Sequence, residues 1–360
     1  MIVRGITRSE AENERLMSWG IVTFKYKPRL DRDPTLCRRR PYAREVITDL
    51  TRRFVVDGVT LSWDRWGTGT DAPPFLLCHG FSGSSHDFAL SIEDLAESRT
   101  VIAIDHRGHG RSEKLGDIER YSIDRLADDL IAFIESEAGR PIDLLGHSMG
   151  GAIAIRVTLA RPDLVRSLIL MDTSGWSFAN DDADIAAMIA GFIESFDPAG
   201  GLPDLGAMPS PETNLIEAET PPEWQAMKQE MAASFDPAGG LPDLGAMPSP
   251  ETDLIASATP PDWQAMKEEM AAAFDPYALK ALGRQLFEGD GDWVRPRLGE
   301  ISCPVTVIVG EHDHPFIDQA ADLAAEVADG LTTVIAGAYH SPQLTHRAEW
   351  TAAVRAHLDR

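Results

Sequence analysis

The dominant pattern in this chain is a series of short, nearly continuous apolar runs. PPFLLCHG (73–80), TVIAIDHRG (100–108), IDLLGHS (142–148) and SLILMDTS (167–174) each end in Gly, His, Asp or Ser. Segments of helical period separate them. In YSIDRLADDLIAFIESEAG (121–139), for example, Leu126, Leu130 and Phe133 fall on one face. Two further runs come late, CPVTVIVGEHD (303–313) and LTTVIAGAYH (331–340), and HRAEWTAAVRAHL (346–358) reads as a closing helix. Ahead of them all, TRRFVVDGVTLSWDRWG (51–67) alternates around Asp57-Gly58, a hairpin signal. A strand apolar on both sides must be covered on both sides. Alternation with helices therefore predicts an α/β fold, with a mostly parallel central sheet and helices on both faces.

Two stretches break this pattern. Residues 1–48 mix basic runs such as CRRRPYAR with Pro28, Pro34 and Pro41 and show no sustained period. They read as an N-terminal extension: a flexible arm, a dimer-forming arm, or a start codon placed too far upstream. The second stretch, 176–299, separates the apolar runs and contains a direct repeat. Residues 197–235 return as 236–274 with 32 of 39 positions identical. Each copy runs from a Gly/Pro-rich loop to a helix. Thr220 and Thr259 are expected as N-caps, Pro221 and Pro260 at the first helical position, and Glu223 or Asp262 in the first turn. Trp224, Met227, Met231 and Phe235 share a face, repeated by Trp263, Met266, Met270 and Phe274; packing is the expected use of both stripes. Residues 49–175 and 300–360 are then one domain, interrupted by a helical cap over 176–299.

Charge narrows the classes of partner. The 360 residues carry a formal charge of −24, and residues 176–300 hold 23 acidic against 6 basic side chains. Such a surface disfavours nucleic acid and anionic membrane. No run approaches the ~18 apolar residues of a membrane span. Cys37, Cys78 and Cys303 are too scattered for a metal or disulfide framework, so a cytoplasmic setting with free thiols is expected; Cys78 reads as a buried strand residue. No phosphate loop, dinucleotide fingerprint or metal-ligand cluster appears, and no cofactor is implied.

The candidate chemistry lies at Gly146-His147-Ser148-Met149-Gly150, where a strand runs into a helix through Gly-x-Ser-x-Gly. Glycines flank the serine because side chains there would clash in so sharp a turn. A serine hydroxyl needs a base to take its proton and a third group to orient that base.

GHSMGG resembles the nucleophile elbow of the α/β-hydrolase superfamily. HGFSGSS (79–85) is similar to that family's oxyanion loop, and DHRGHGRS (105–112) to the turn after its fourth strand. VIVGEHD (307–313) is similar to the acid-bearing segment and GAYHSP (337–342) to the histidine-bearing one. The resemblance implies an α/β-hydrolase fold with the cap inserted between strands six and seven. It also implies Ser148 as nucleophile, Asp313 as acid, His340 as base, and the amides of Phe81 and Met149 as the oxyanion hole. Glu311 follows the same strand as Asp313 and is the alternative acid. His346 and His357 are the weaker candidates for the base. His312 and His314 read as loop histidines, His79 and His147 as pocket-shaping ones, and His86 as a residue near the entrance.

Serine at the elbow disfavours the haloalkane dehalogenases and epoxide hydrolases of this fold, which the chain does not match because they use aspartate there. The expected activity is a serine esterase (carboxylesterase) cleaving small to medium apolar esters. Lactones are the close alternative. C–C hydrolysis of a dienoic ring-cleavage product comes next, and it calls for an arginine in the pocket, with Arg284, Arg295 and Arg297 as the cap's candidates. An inactive binding module is the non-enzymatic alternative. The expected partner is an apolar ester or lactone, with a homodimer through the N-terminal arm as a further option.

Overall fold

A computed structural model describes residues 52–67, 71–176, 178, 183–196, 250–289, 294–314 and 316–360. The N-terminal extension, Cys37, the first repeat copy and the opening of the second lie outside the described residues.

Strands β1 (Arg52–Val56) and β2 (Val59–Trp66) form the expected hairpin, with Asp57 at φ 50° and Gly58 at φ 70° in its turn. Then follow β3 (Phe75–Cys78), α1 (Ala89–Ala96), β4 (Val101–Ile104), α2 (Ile123–Phe133), β5 (Ile142–His147), α3 (Met149–Ala160) and β6 (Val165–Met171). Helices α4 (Ala183–Glu194), α5 (Pro250–Ala258), α6 (Pro261–Ala272) and α7 (Pro276–Phe287) lie between β6 and β7 (Val305–Gly310). The chain closes with α8 (Phe316–Glu326), β8 (Gly330–Ile335), the short α9 (Pro342–Thr345) and α10 (Arg347–Leu358).

The eight strands lie in the order β1-β2-β4-β3-β5-β6-β7-β8, parallel from β4 through β8 and antiparallel where β2 meets its neighbours. Strands β3, β4, β5 and β7 are buried at every position, as their unbroken apolar runs require. Two apolar clusters cover the faces. One joins Leu126, Leu130 and Phe133 of α2 to the α3 side; the other joins Phe88, Ile92 and Trp350. Cys78 is buried in β3, and burial pushes its thiol far above the ordinary range. Asp143, inside β5, is tied by Arg99 at 2.8 Å and Arg166 at 2.5 Å, so its buried charge is paired. The parallel strands all present their C-terminal ends to one rim, where Gly, His, Asp and Ser replace apolar residues. Such rims are where open α/β sheets bind ligands.

Candidate active site

At the end of β5 the backbone turns through Ser148, at φ 52° and ψ −119°, straight into α3 at Met149. A non-glycine residue in this region is strained, and it is held there by its surroundings. The Ser148 amide donates to the Met171 carbonyl at 2.9 Å, and the Ser148 carbonyl accepts from Thr173 Oγ1 at 2.7 Å. A Cβ on Gly150 would lie 2.5 Å from the Cys78 carbonyl oxygen and 2.7 Å from that of His79. The glycine therefore lets α3 start directly against the end of β3.

His340 follows β8, and its Nδ1 lies 2.9 Å from Oδ2 of the fully buried Asp313, which follows β7. Burial works against a charged ring. The Asp313 charge and hydrogen bond, with the charge of Glu251, outweigh it and hold His340 above the ordinary imidazole range. His147, beside the serine, packs its ring 4.9 Å from that of His340 and donates from Nε2 to the His340 carbonyl at 2.9 Å. Burial, then the His340 charge, lowers His147 to about 3, so it stays neutral and works as a spacer. Through His147 the elbow and the histidine loop are one unit.

A further carboxyl stands behind Asp313. Asp172, after β6, accepts the Gly310 amide on Oδ1 at 2.8 Å, and its buried carboxyl feels the charge of Asp313. Burial first, then the Asp313 charge, pushes Asp172 well above the usual carboxylate range.

The loop carrying Phe81 closes over the serine. A Cβ on Gly80 would lie 3.2 Å from Ser148 Cβ, so backbone passes where a side chain has little room. His79 donates from Nδ1 to the Gly80 carbonyl (2.8 Å) and accepts the His106 amide on Nε2 (3.1 Å). His109 holds the Phe81 carbonyl at 2.8 Å. Burial lowers both histidines to about 4, in keeping with neutral, structural rings. Met149, buried at the first position of α3, presents one of the amides that a helix start leaves without an intrahelical partner.

Helix α6 pins this loop from the cap. Trp263 stacks on His86 with centroids 5.0 Å apart, donates from Nε1 to the His86 carbonyl (3.2 Å) and accepts His86 Nε2 on its own carbonyl (2.9 Å). Lys267 pairs with Asp87 at 2.8 Å. Deeper in, the Phe81 ring meets Phe196 and Phe287 edge-on, an apolar wall.

The alpha/beta hydrolase fold family matches this chain over residues 73–347. The chain belongs to that family.

Among curated relatives, the dihydrolipoyllysine-residue acetyltransferase component of the acetoin cleaving system of Pseudomonas putida is 36% identical over 120 residues, 33% of this chain and 32% of its own. The 2-(acetamidomethylene)succinate hydrolase of Mesorhizobium japonicum is 33% identical over 132 residues, 36% of this chain and 46% of its own. The chain thus spans less than half the length of either relative. Among solved structures, the enol-lactonase from Burkholderia xenovorans aligns with a TM-score of 0.61 at 18% identity, covering 86% of this chain and 100% of that one. A thermophilic esterase from Thermogutta terrifontis gives 0.57 at 21% identity, covering 85% and 97%. These two likenesses concern the fold.

On this alpha/beta hydrolase frame, Ser148, Asp313, His340, Phe81 and Met149 converge on one end of the sheet. The alternatives lie elsewhere. Glu311 is exposed and accepts the Gly337 amide; His314 pairs with Asp318; His357 is buried against Thr306; His346 bonds Thr345. The DHRGHGRS turn is structural, with Asp105 accepting the amides of Ser85 and Arg111, and Arg107 forking onto Asp129. His86 is no open entrance residue: it is buried beneath Trp263.

One capping expectation fails. Thr259 closes α5 rather than opening α6, donating its hydroxyl (2.7 Å) and its amide (2.9 Å) to Ile255 four residues back. Pro260 then takes the extended N-cap place and Pro261 the first helical one. A residue before proline is pushed out of helical geometry, which Pro260 satisfies and a helical Pro260 would not. Asp262 does lie in the first turn, and Trp263, Met270 and Phe274 are buried, with Met266 half-buried. Sequence reasoning missed Asp172 and Glu251. Asp172 had a signal, since it ends an apolar run as Ser148 and Asp313 nearly do. Glu251 had none.

Proposed function

We propose that this chain is a serine hydrolase that cleaves a carboxylic ester of a small to medium apolar substrate through an acyl-enzyme. Ser148 is the nucleophile, His340 the base, Asp313 the acid, and Phe81 and Met149 supply the oxyanion amides. One observation carries the reading: the Asp313–His340 pair at 2.9 Å is fastened, through His147, to the strained elbow that holds Ser148.

The steps follow from the groups. His340, held by Asp313 with its Nδ1–H committed, takes the serine proton on Nε2 as Oγ attacks the ester carbon. The amides of Phe81 and Met149 bear the charge developing on the carbonyl oxygen. His340 returns the proton to the leaving alcohol, then activates water to release the acid. The aromatic wall around Phe81 favours an apolar acyl or alcohol group.

The cap's arginines weigh against a dienoic acid substrate for C–C hydrolysis. Arg284 pairs with Glu194, Arg295 with Glu326 while lying over Trp176, and Arg297 with Glu300. Each is committed to a surface ion pair. Among the described residues no helix is long and apolar enough to cross a membrane. Cytoplasmic placement rests on the free thiols Cys78 and Cys303.

Hydrolysis of p-nitrophenyl esters from acetate to dodecanoate, by this chain and by Ser148→Ala, tests the reading. Turnover abolished by the substitution is expected. Turnover that survives it, or none on any ester, would count against an ester hydrolase.

A further inference from the structure

Glu251 is an unexpected group to find near the histidine. It lies on α5, in the second copy of the cap repeat, and it is 7% exposed. Helix α5 packs against α9, the short helix that begins immediately after Ser341. The Glu251 carboxyl is hydrogen-bonded to the hydroxyl and amide of Ser341, the residue after His340, while its Oε1 has no partner. An acid so deeply buried is costly unless its surroundings use its charge.

We propose that Glu251 is a positioning residue supplied by the cap: it ties the His340–Ser341 loop to α5 and acts, beside Asp313, as a second carboxylate on the His340 imidazole. This rests on His340 being the base of the proposed reaction. Among the described residues, the charged and titratable groups facing His340 include Asp313 from the loop after β7, Glu251 from the cap and His147 from the elbow. Those facing Glu251 are His340 and Asp313, and its charge also reaches Asp172. Burial raises Glu251 to about 7, with Asp313 pushing the same way and His340 and Ser341 pulling back. Near neutral pH the carboxylate is thus poised to ionise as positive charge builds on His340.

The consequence is that base strength depends on the cap being docked. Only one of the two copies can occupy this place; the counterpart of Glu251 in the first copy is Glu212, 39 residues earlier.

The test is the pH dependence of the rate at which a fluorophosphonate labels Ser148, which needs the activated serine but no particular ester. In the unmodified chain the acidic limb should lie above pH 6.5, because Asp313 and Glu251 favour imidazolium and the reactive form has neutral His340. Glu251→Gln keeps an acceptor for Ser341 and removes a buried carboxyl. Its limb should move down, with a several-fold lower labelling rate on the alkaline plateau, because a weaker base takes the serine proton more slowly. Glu251→Asp keeps the charge and should hold the limb near its original place. Glu212→Gln should leave the profile unchanged.

A profile unaltered in Glu251→Gln would mean that Glu251 merely packs, and would overturn the proposal. So would a limb that falls equally far in Glu251→Asp, or one that moves in Glu212→Gln instead. No labelling of the unmodified chain would instead overturn the serine-hydrolase reading, and this inference with it.

Discussion

Asp172 gives the sharpest energetic prediction. Its Oδ1 accepts the Gly310 amide at 2.8 Å, and Asp313 spends Oδ2 on His340 at 2.9 Å. The oxygens left over, Asp172 Oδ2 and Asp313 Oδ1, are both buried and without another partner among the described residues. Two buried carboxyls whose charges act on each other away from water disfavour joint ionisation, so Asp172 is expected to keep a proton that it can donate to Asp313. Asparagine reproduces this arrangement. Its carbonyl accepts Gly310, its NH2 donates to Asp313, and it tolerates the φ of 47° at this position. Alanine leaves the Gly310 amide without an acceptor and Asp313 without a donor, at about 1–3 kcal/mol for the first and about 1 kcal/mol for the second.

Linkage sharpens the comparison. The folded chain holds the Asp172 proton well above the pKa at which the unfolded chain releases it. Between those values the native state binds more protons, so stability falls as pH rises. An asparagine side chain in its place does not titrate. The stability of Asp172→Asn relative to the unmodified chain should therefore improve as pH rises above the unfolded value, by up to about 1.4 kcal/mol per unit for as long as the native state keeps the proton. Guanidinium unfolding followed by tryptophan fluorescence at pH 5, 6 and 7 measures this. A difference that does not vary with pH, or Asp172→Asn as damaging as Asp172→Ala, would show that Asp172 is ionised in the fold and would refute the argument.

Two further outcomes are expected. Trp263→Phe removes the donor to the His86 carbonyl but keeps a ring on His86. It should cost about 1–2 kcal/mol and slow turnover several-fold through a looser Phe81 loop; unfolding curves and ester kinetics that match the unmodified chain would reject that latch. Gly80→Ala places a methyl 3.2 Å from Ser148 Cβ and 3.3 Å from His147 Nδ1. It should lower kcat about tenfold or more with little change in KM, because small displacements of a nucleophile are costly; an unchanged kcat would contradict the close packing of loop on elbow.

The sheet was legible because its physics is local. Strands β3 to β8 read as continuous apolar runs, and the Asp57-Gly58 turn as a hairpin, since burial on two faces and positive φ leave marks in a few adjacent residues. The placement of Ser148, Asp313 and His340 at one end of the sheet was legible because each ends such a run in a motif of this family. Asp172 also ends such a run, yet nothing nearby says that its carboxyl meets Asp313, more than a hundred residues on. Glu251 was less legible still. It is one of 23 acidic residues between 176 and 300, most of which read as a solvated surface, and only the docking of α5 on α9 buries it. Thr259 misled because a threonine before Pro-Pro looks like a cap. The hydroxyl reached backward to Ile255 instead, since the preceding helix ran up to it.

The most direct test of the central claim is intact-mass spectrometry after exposure to a fluorophosphonate, with the modified peptide sequenced. The account predicts one phosphonyl adduct on Ser148, absent from Ser148→Ala and strongly slowed in His340→Ala. An unmodified chain, or an adduct on any other residue, would contradict it.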